Sequence, residues 1–206
     1  DSIVRYIVEN SLGRLRVEGH PNEELKSEWK YYLDEAEQEP EVKAQLTEIR
    51  KEYAALTPED IKTLDPCCGS GHLLAYMFDV LMEIYNDFGY SARESVASIL
   101  GNNIYGLDID ERAAQLAYFS VMMKAVQYDT RFLKRREIPQ PHVYAIHESN
   151  HINNNIVDYF CNQDPKLIKA MGTLIFEMHD ASEYGSIITV SHVDFDALNS
   201  RFNEIK

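Results

Sequence analysis

The sequence predicts an α/β fold with an open, largely parallel sheet behind a helical N-terminal segment, and three stretches carry that expectation. Residues 63–74, Thr-Leu-Asp-Pro-Cys-Cys-Gly-Ser-Gly-His-Leu-Leu, read as a strand end, a tight loop of small residues and the first turn of an apolar helix. Residues 104–110, Ile-Tyr-Gly-Leu-Asp-Ile-Asp, read as a second strand followed by a helix, and residues 142–147 as a third strand. Strands alternating with helices argue for parallel pairing, with ligands at the carboxyl ends of the strands.

The elements follow in chain order. Asp1 can cap a first helix whose apolar residues Ile3, Val4, Ile7 and Val8 recur at helical spacing, with an end expected near Gly13. From Glu23 to Tyr53 the chain is charged and helical in character, with Trp29, Tyr32 and Leu33 as one apolar strip and Pro40 between two helices. Thr57-Pro58-Glu59-Asp60 is an N-cap with Pro at the first helical position, leading to a strand over 61–64. Residues 72–85 are apolar nearly all round, as in a helix buried against a sheet. A further helix reaches Leu100, and Gly101-Asn102-Asn103 is turn chemistry. The helix over 111–125 is expected to pack through Ala113, Leu116, Ala117, Phe119 and Met123. A polar, basic connection over 129–141 precedes the third strand, and a helix over 155–171 and a helical end over the last 16 residues follow it. Residues 1–60 therefore read as the helical segment and 61–206 as a partial α/β domain with helical insertions.

Composition narrows the function. A chain of 206 residues with 45% hydrophobic residues can bury a core. Its 20 basic and 34 acidic residues leave a net charge of −14, a poor nucleic-acid footprint by itself. Three cysteines, two of them adjacent at Cys67 and Cys68, make no disulfide framework and fit a reducing cytoplasm. The longest apolar run, Leu73 to Tyr85, is interrupted by Asp79 and Glu83, so no membrane span is expected. The start at Asp1 without Met and the stop at Lys206 within a helical pattern suggest part of a larger protein.

The loop chemistry is sharper. Gly69 and Gly71 allow positive φ and close backbone approach at a helix N-terminus, which marks a nucleotide-type site. The G-x-G-x-x-G pattern is absent, which sets aside a nicotinamide oxidoreductase, and no Lys follows the glycines as a P-loop requires. The acid Asp65 would repel a pyrophosphate but suits an ammonium group, which points to S-adenosyl-L-methionine. Asp108, at the end of the second strand, is placed to accept from both hydroxyls of a ribose, and Ile109 to lie against an adenine face. Cys67, Cys68 and His72 lack a second cysteine pair, and His142, His147 and His151 are only loosely clustered, so no metal site is expected.

Asp65-Pro66-Cys67-Cys68-Gly69-Ser70-Gly71-His72 resembles the cofactor loop of DNA adenine methyltransferases, whose pattern is D-P-x-C-G-S-G before an apolar helix, and Ile104 to Asp110 looks like their second motif. With Val8 to Arg14, the pattern is similar to the large methyltransferases of restriction-modification and phage-defence systems, most of all those of BREX systems. The resemblance implies a partial Rossmann-like class I S-adenosylmethionine-dependent fold and methyl transfer to the exocyclic amino group of adenine. It implies that Asp65 binds the methionine amino group, that the backbone of Cys67, Gly69 and Gly71 shapes the pocket, and that Asp108 and Ile109 hold ribose and adenine. For the third-motif acid Glu148 is the first choice and Asp180 the alternative. Two departures stand out: the long interval from Asp65 to Asp108 implies an insertion near 86–103, and neither N-P-P-Y nor D-P-P-Y occurs. That motif receives the flipped base, so no catalytic residue is assigned and the chain alone is expected to be inactive. Double-stranded DNA would be held by parts outside this sequence, with defence-system proteins as possible partners. A non-catalytic scaffold that kept the fold, and a methyltransferase for another substrate, are the alternative readings.

Overall fold

Apolar residues on either side of the Asp65 loop build the centre of the computed structural model, which describes residues 2–206. The chain forms two compact units, one ending at Tyr144 and one running Ala145–Lys206. The helices before residue 60 therefore share a unit with the first strands.

Strands β1 (Thr63–Asp65), β2 (Ile104–Asp108) and β3 (His142–Ala145) make one sheet in the order β1-β2-β3. β1 and β2 run parallel, with Thr63 opposite Ile104 and Asp65 opposite Gly106. The three expected strands are present, each shorter than the sequence suggests. Parallel neighbours need a long crossover, and the helices between residues 72 and 98 supply it.

The N-terminal helix does not stop near Gly13. α1 (Ser2–Val8) continues through a π-helical turn, Glu9–Gly13, into α2 (Arg14–Gly19). Gly13 keeps helical angles, φ −61° and ψ −45°, and its missing side chain serves packing: a Cβ there would lie 2.8 Å from the Trp29 ring. The expected stripe is also rotated, since Val8, Glu9, Leu12 and Val17 are buried while Ile3 and Ile7 face outward. A π-turn adds a residue to the helical repeat and so shifts the buried face. It brings Glu9 inside, where the carboxylate accepts from the Tyr76 hydroxyl at 2.7 Å and the Tyr31 N–H at 2.6 Å. The Asp1 cap lies outside the described residues.

Helix α3 (Glu23–Glu28) ends early, so Trp29, Tyr32 and Leu33 do not form a helical strip. Residues 29–39 have no helix, because the Asn10 side chain binds the Tyr31 carbonyl at 2.8 Å and the Leu33 N–H at 2.9 Å in place of helical partners. Pro40 is the first residue of α4 (Pro40–Ala55), which buries none of its residues and is a solvated charged helix, as expected. The Thr57 and Asp60 side chains close a capping box around a short 3-10 turn, Pro58–Asp60.

α5 (His72–Asp87) buries Leu74, Phe78, Leu81, Ile84 and Tyr85 against α1, β2 and the helix after β2. α6 (Ala92–Ser98) runs into a second π-helical turn, Ile99–Asn103, where a simple turn was expected. The cause is Asn103: fully buried, it donates to the Pro58 and Ile61 carbonyls at 2.7 and 2.8 Å and accepts from Tyr85. In α7 (Glu111–Tyr128) the packed face is Ala114, Ala117, Val121 and Ala125. Leu116, Phe119 and Met123, expected inside, are 56%, 60% and 48% exposed. Small residues face inward because α7 must lie close to the Asp65 loop, whereas the large ones would hold it away.

The second unit packs α8 (Asn154–Cys161), α9 (Pro165–Glu177), α10 (Ala181–Tyr184) and α11 (Phe195–Ile205) with a core of Phe160, Cys161, Leu167, Ala170, Val193 and Leu198. The single helix expected over 155–171 is broken at Asn162 and Gln163, with φ of +46° and +64°, before Pro165 starts α9. No helix of the described residues is long and apolar enough to cross a membrane.

The Gly13 contact fixes the sign of one substitution. Alanine is the better helix former by about 1 kcal/mol, yet Gly13→Ala is expected to destabilise the chain by about 1–3 kcal/mol through overpacking on Trp29. Urea unfolding measures it, and a stabilised variant would contradict the close approach.

Candidate functional site

The site grows from the end of β1. Pro66 ends strand pairing because it has no N–H to give, and the chain turns back as the Cys67 N–H donates to Asp65 Oδ1 at 3.2 Å, an Asx turn. The Cys68 N–H reaches across to the Leu107 carbonyl at 2.9 Å, tying the loop to β2. Gly69 and Gly71 have φ of +52° and +83°, a conformation that side chains disfavour. Gly71 stands at the N-cap of α5, its N–H donating to the Cys68 carbonyl at 2.8 Å.

Asp108 ends β2 on the same side. Its Oδ2 accepts from the Gly69 N–H at 2.8 Å and its Oδ1 from the Asp110 N–H at 2.9 Å. Asp65, Cys67, Gly69, Gly71 and Asp108 are thus brought together by one strand pairing and one loop. Ile109 follows with its side chain 55% exposed, and nothing lies within 4 Å of where a Gly69 side chain would begin.

The electrostatics are unusual for a turn. Asp65 is only 7% exposed, and burial raises its pKa, against the pull of the Cys67 N–H and with a further push from the Asp108 charge. Among the described residues, no cation contributes to that shift. Burial and then the Asp108 and Asp65 charges push the Cys68 thiol up to about 11, so it stays protonated and is no nucleophile at neutral pH. Two carboxylates, one buried, beside an open glycine loop could receive a positively charged group. Those acceptors fit the ammonium of an amino acid.

Glu148 and Asp180 belong to the second unit. The Glu148 carboxylate accepts from the Asn150 amide at 2.8 Å, and Asp180 pairs with His179 at 2.8 Å just before α10. Sequence reasoning missed Ser120, whose hydroxyl donates to the Ser70 carbonyl at 2.9 Å. A serine inside a helix carries no motif, and only its i+3 spacing from the buried Ala117 places it on the loop side.

Strand pairing, loop and the two acids lie within a methyltransferase domain. The sequence profile of the MmeI DNA-methyltransferase domain matches residues 34–159, and the chain belongs to that family. It is 50% identical over 133 residues, 65% of its length, to the adenine-specific methyltransferase BrxX of Escherichia coli, of which this covers 11%. It is 35% identical over 207 residues, 95% of its length, to the adenine-specific methyltransferase PglX of Lacticaseibacillus casei, covering 16% of that protein. A putative type II restriction enzyme and methyltransferase of Methanocaldococcus jannaschii is 27% identical over 205 residues, 89% of the chain and 17% of that protein. The chain spans between a tenth and a fifth of the length of these relatives. The resemblance read from residues 65–72 and 104–110 is borne out.

The raised pKa of Asp65 has a consequence for stability. Ionising it costs more in the folded chain than in the unfolded one, so the penalty is absent below the ordinary carboxylate pKa and complete above the raised one. Asp65→Asn, which keeps an acceptor for the Cys67 N–H, is expected to raise the thermal midpoint of the ligand-free chain at neutral pH. The gain should vanish as pH falls through the carboxylate range, and scanning calorimetry across pH measures both.

Proposed function

We propose that the chain is the methyl-donor-binding part of an adenine-specific DNA methyltransferase of a phage-defence or restriction-modification system. One observation carries the reading: the buried Asp65 and the strand-end Asp108 flank a glycine loop, and among the described residues no cation acts on Asp65. The ammonium of S-adenosyl-L-methionine would supply that cation, and the names of the relatives, adenine-specific methyltransferases, agree with it.

The roles follow from the chemistry of each group. Asp65 accepts the ammonium, and the backbone from Cys67 to Gly71 shapes the wall beside it. Each Asp108 oxygen already takes one N–H, but a carboxylate oxygen has a second lone pair, which leaves acceptors for two ribose hydroxyls. Ile109 presents an exposed apolar face to adenine, and Glu148 is the proposed third-motif acid. When bound, the cofactor supplies an electrophilic sulfonium methyl group. The fold is proposed as part of a Rossmann-like class I domain working in the cytoplasm.

The 206 residues contain no N-P-P-Y, so reception of the flipped adenine and most DNA contact are assigned to other parts of a longer protein. The same absence, with the net charge of −14, favours a second reading, a non-catalytic scaffold that kept the fold.

Isothermal titration of the chain with S-adenosylhomocysteine tests the first reading. Binding is expected, and Asp65→Ala should weaken it roughly 10- to 100-fold, as loss of a charge-assisted bond does. Binding equal in wild type and Asp65→Ala, or none in either, would sink the assignment. Base-resolution mapping of methyladenine in cells with and without the gene separates the two readings, because only the enzyme leaves methylated sites.

A further inference from the structure

The glycine loop is shaped from α7 as well as from its own sequence. A Cβ on Gly71 would lie 2.8 Å from Ala117 Cα and 3.2 Å from its carbonyl oxygen, so the loop backbone rests on the helix. Three residues along, the Ser120 hydroxyl donates to the Ser70 carbonyl at 2.9 Å, across 50 residues of sequence. Ser70 sits between the two positive-φ glycines, where the backbone is softest and ordering costs the most entropy. α7 is also tied to the site at its start, because its N-cap residue Asp110 gives its N–H to Asp108.

Resting on the proposed S-adenosylmethionine site, we infer that Ser120 is a positioning residue, which holds the Ser70 peptide so that the loop is already shaped for the amino-acid end of the cofactor. Ala117 is the small platform that lets the loop come close enough for this bond. Ser120 touches no part of the ligand itself. Its effect is preorganisation: without the bond the loop samples other backbone states, and binding must bear the cost of ordering it.

This separates two ends of one ligand. S-adenosylhomocysteine carries the amino-acid end, whereas 5′-methylthioadenosine has the same nucleoside without it. Ser120→Ala in the 206-residue chain is expected to weaken S-adenosylhomocysteine roughly three- to tenfold, the worth of one hydrogen bond, while leaving 5′-methylthioadenosine unchanged. Ser120→Thr, which keeps a hydroxyl, should restore the difference between the two ligands. A general structural role would weaken both alike, and that result, or unaltered S-adenosylhomocysteine binding, would overturn the inference. Wild type and Asp65→Ala are titrated alongside. If wild type binds and Asp65→Ala does not, an unaffected Ser120→Ala refutes the positioning role alone. If wild type does not bind, the reading of the site has failed and this inference with it.

Discussion

Two carboxylates end neighbouring parallel strands, and much of the first unit is arranged to keep them there. Two like charges so placed repel each other. Here Asp65 is buried, and among the described residues no cation acts on it. What offsets the charge is backbone: the Cys67 N–H on Asp65, and the Gly69 and Asp110 N–H groups on Asp108. For those N–H groups to point at the acids, the chain must pass through two residues of positive φ, which explains glycine at 69 and 71. The loop cannot relax, because it runs into α5 on one side and rests on α7 on the other.

Helix α5 holds its orientation through directional bonds on an otherwise apolar surface. Tyr76 donates to the buried Glu9, Asp79 takes Lys124 Nζ at 2.6 and 2.7 Å and the Tyr128 hydroxyl at 2.9 Å, and Glu83 accepts from Trp29 at 2.7 Å. These polar residues recur at spacings of three and four, so they share one side of the helix. Apolar packing alone is tolerant of rotation and sliding. A stripe of bonds to the N-terminal helix, to Trp29 and to α7 is not. The helix that begins at the glycine loop is therefore fixed in rotation as well as in position.

What could be read in advance was what short-range physics decides. The Asp65 to Gly71 loop, the acid at the end of β2, the Thr57 N-cap before Pro58 and Pro40 at a helix start each depend on residues within a few positions of one another, and the structure has them. The failures share the opposite property. Gly13 looked like a helix end, but its partner is Trp29. The segment after Glu28 leaves the helix because of Asn10, about twenty residues earlier, and Gly101 to Asn103 stay wound because Asn103 reaches Pro58 and Ile61. The inner face of α7 was misjudged because size was read as a sign of burial. Where two backbones approach closely, the buried residues are the small ones.

Charge links the site to the proposed reaction. The chain carries −14, and the acids Asp65 and Asp108 beside the glycine loop are among its 34 acidic residues. S-adenosylmethionine carries one more positive charge than the product left after methyl transfer. On the proposed reading, the donor therefore offsets the two carboxylates by one charge more than the product does. A site whose two carboxylates are offset by backbone N–H groups alone responds to that change in a way that a neutral pocket would not.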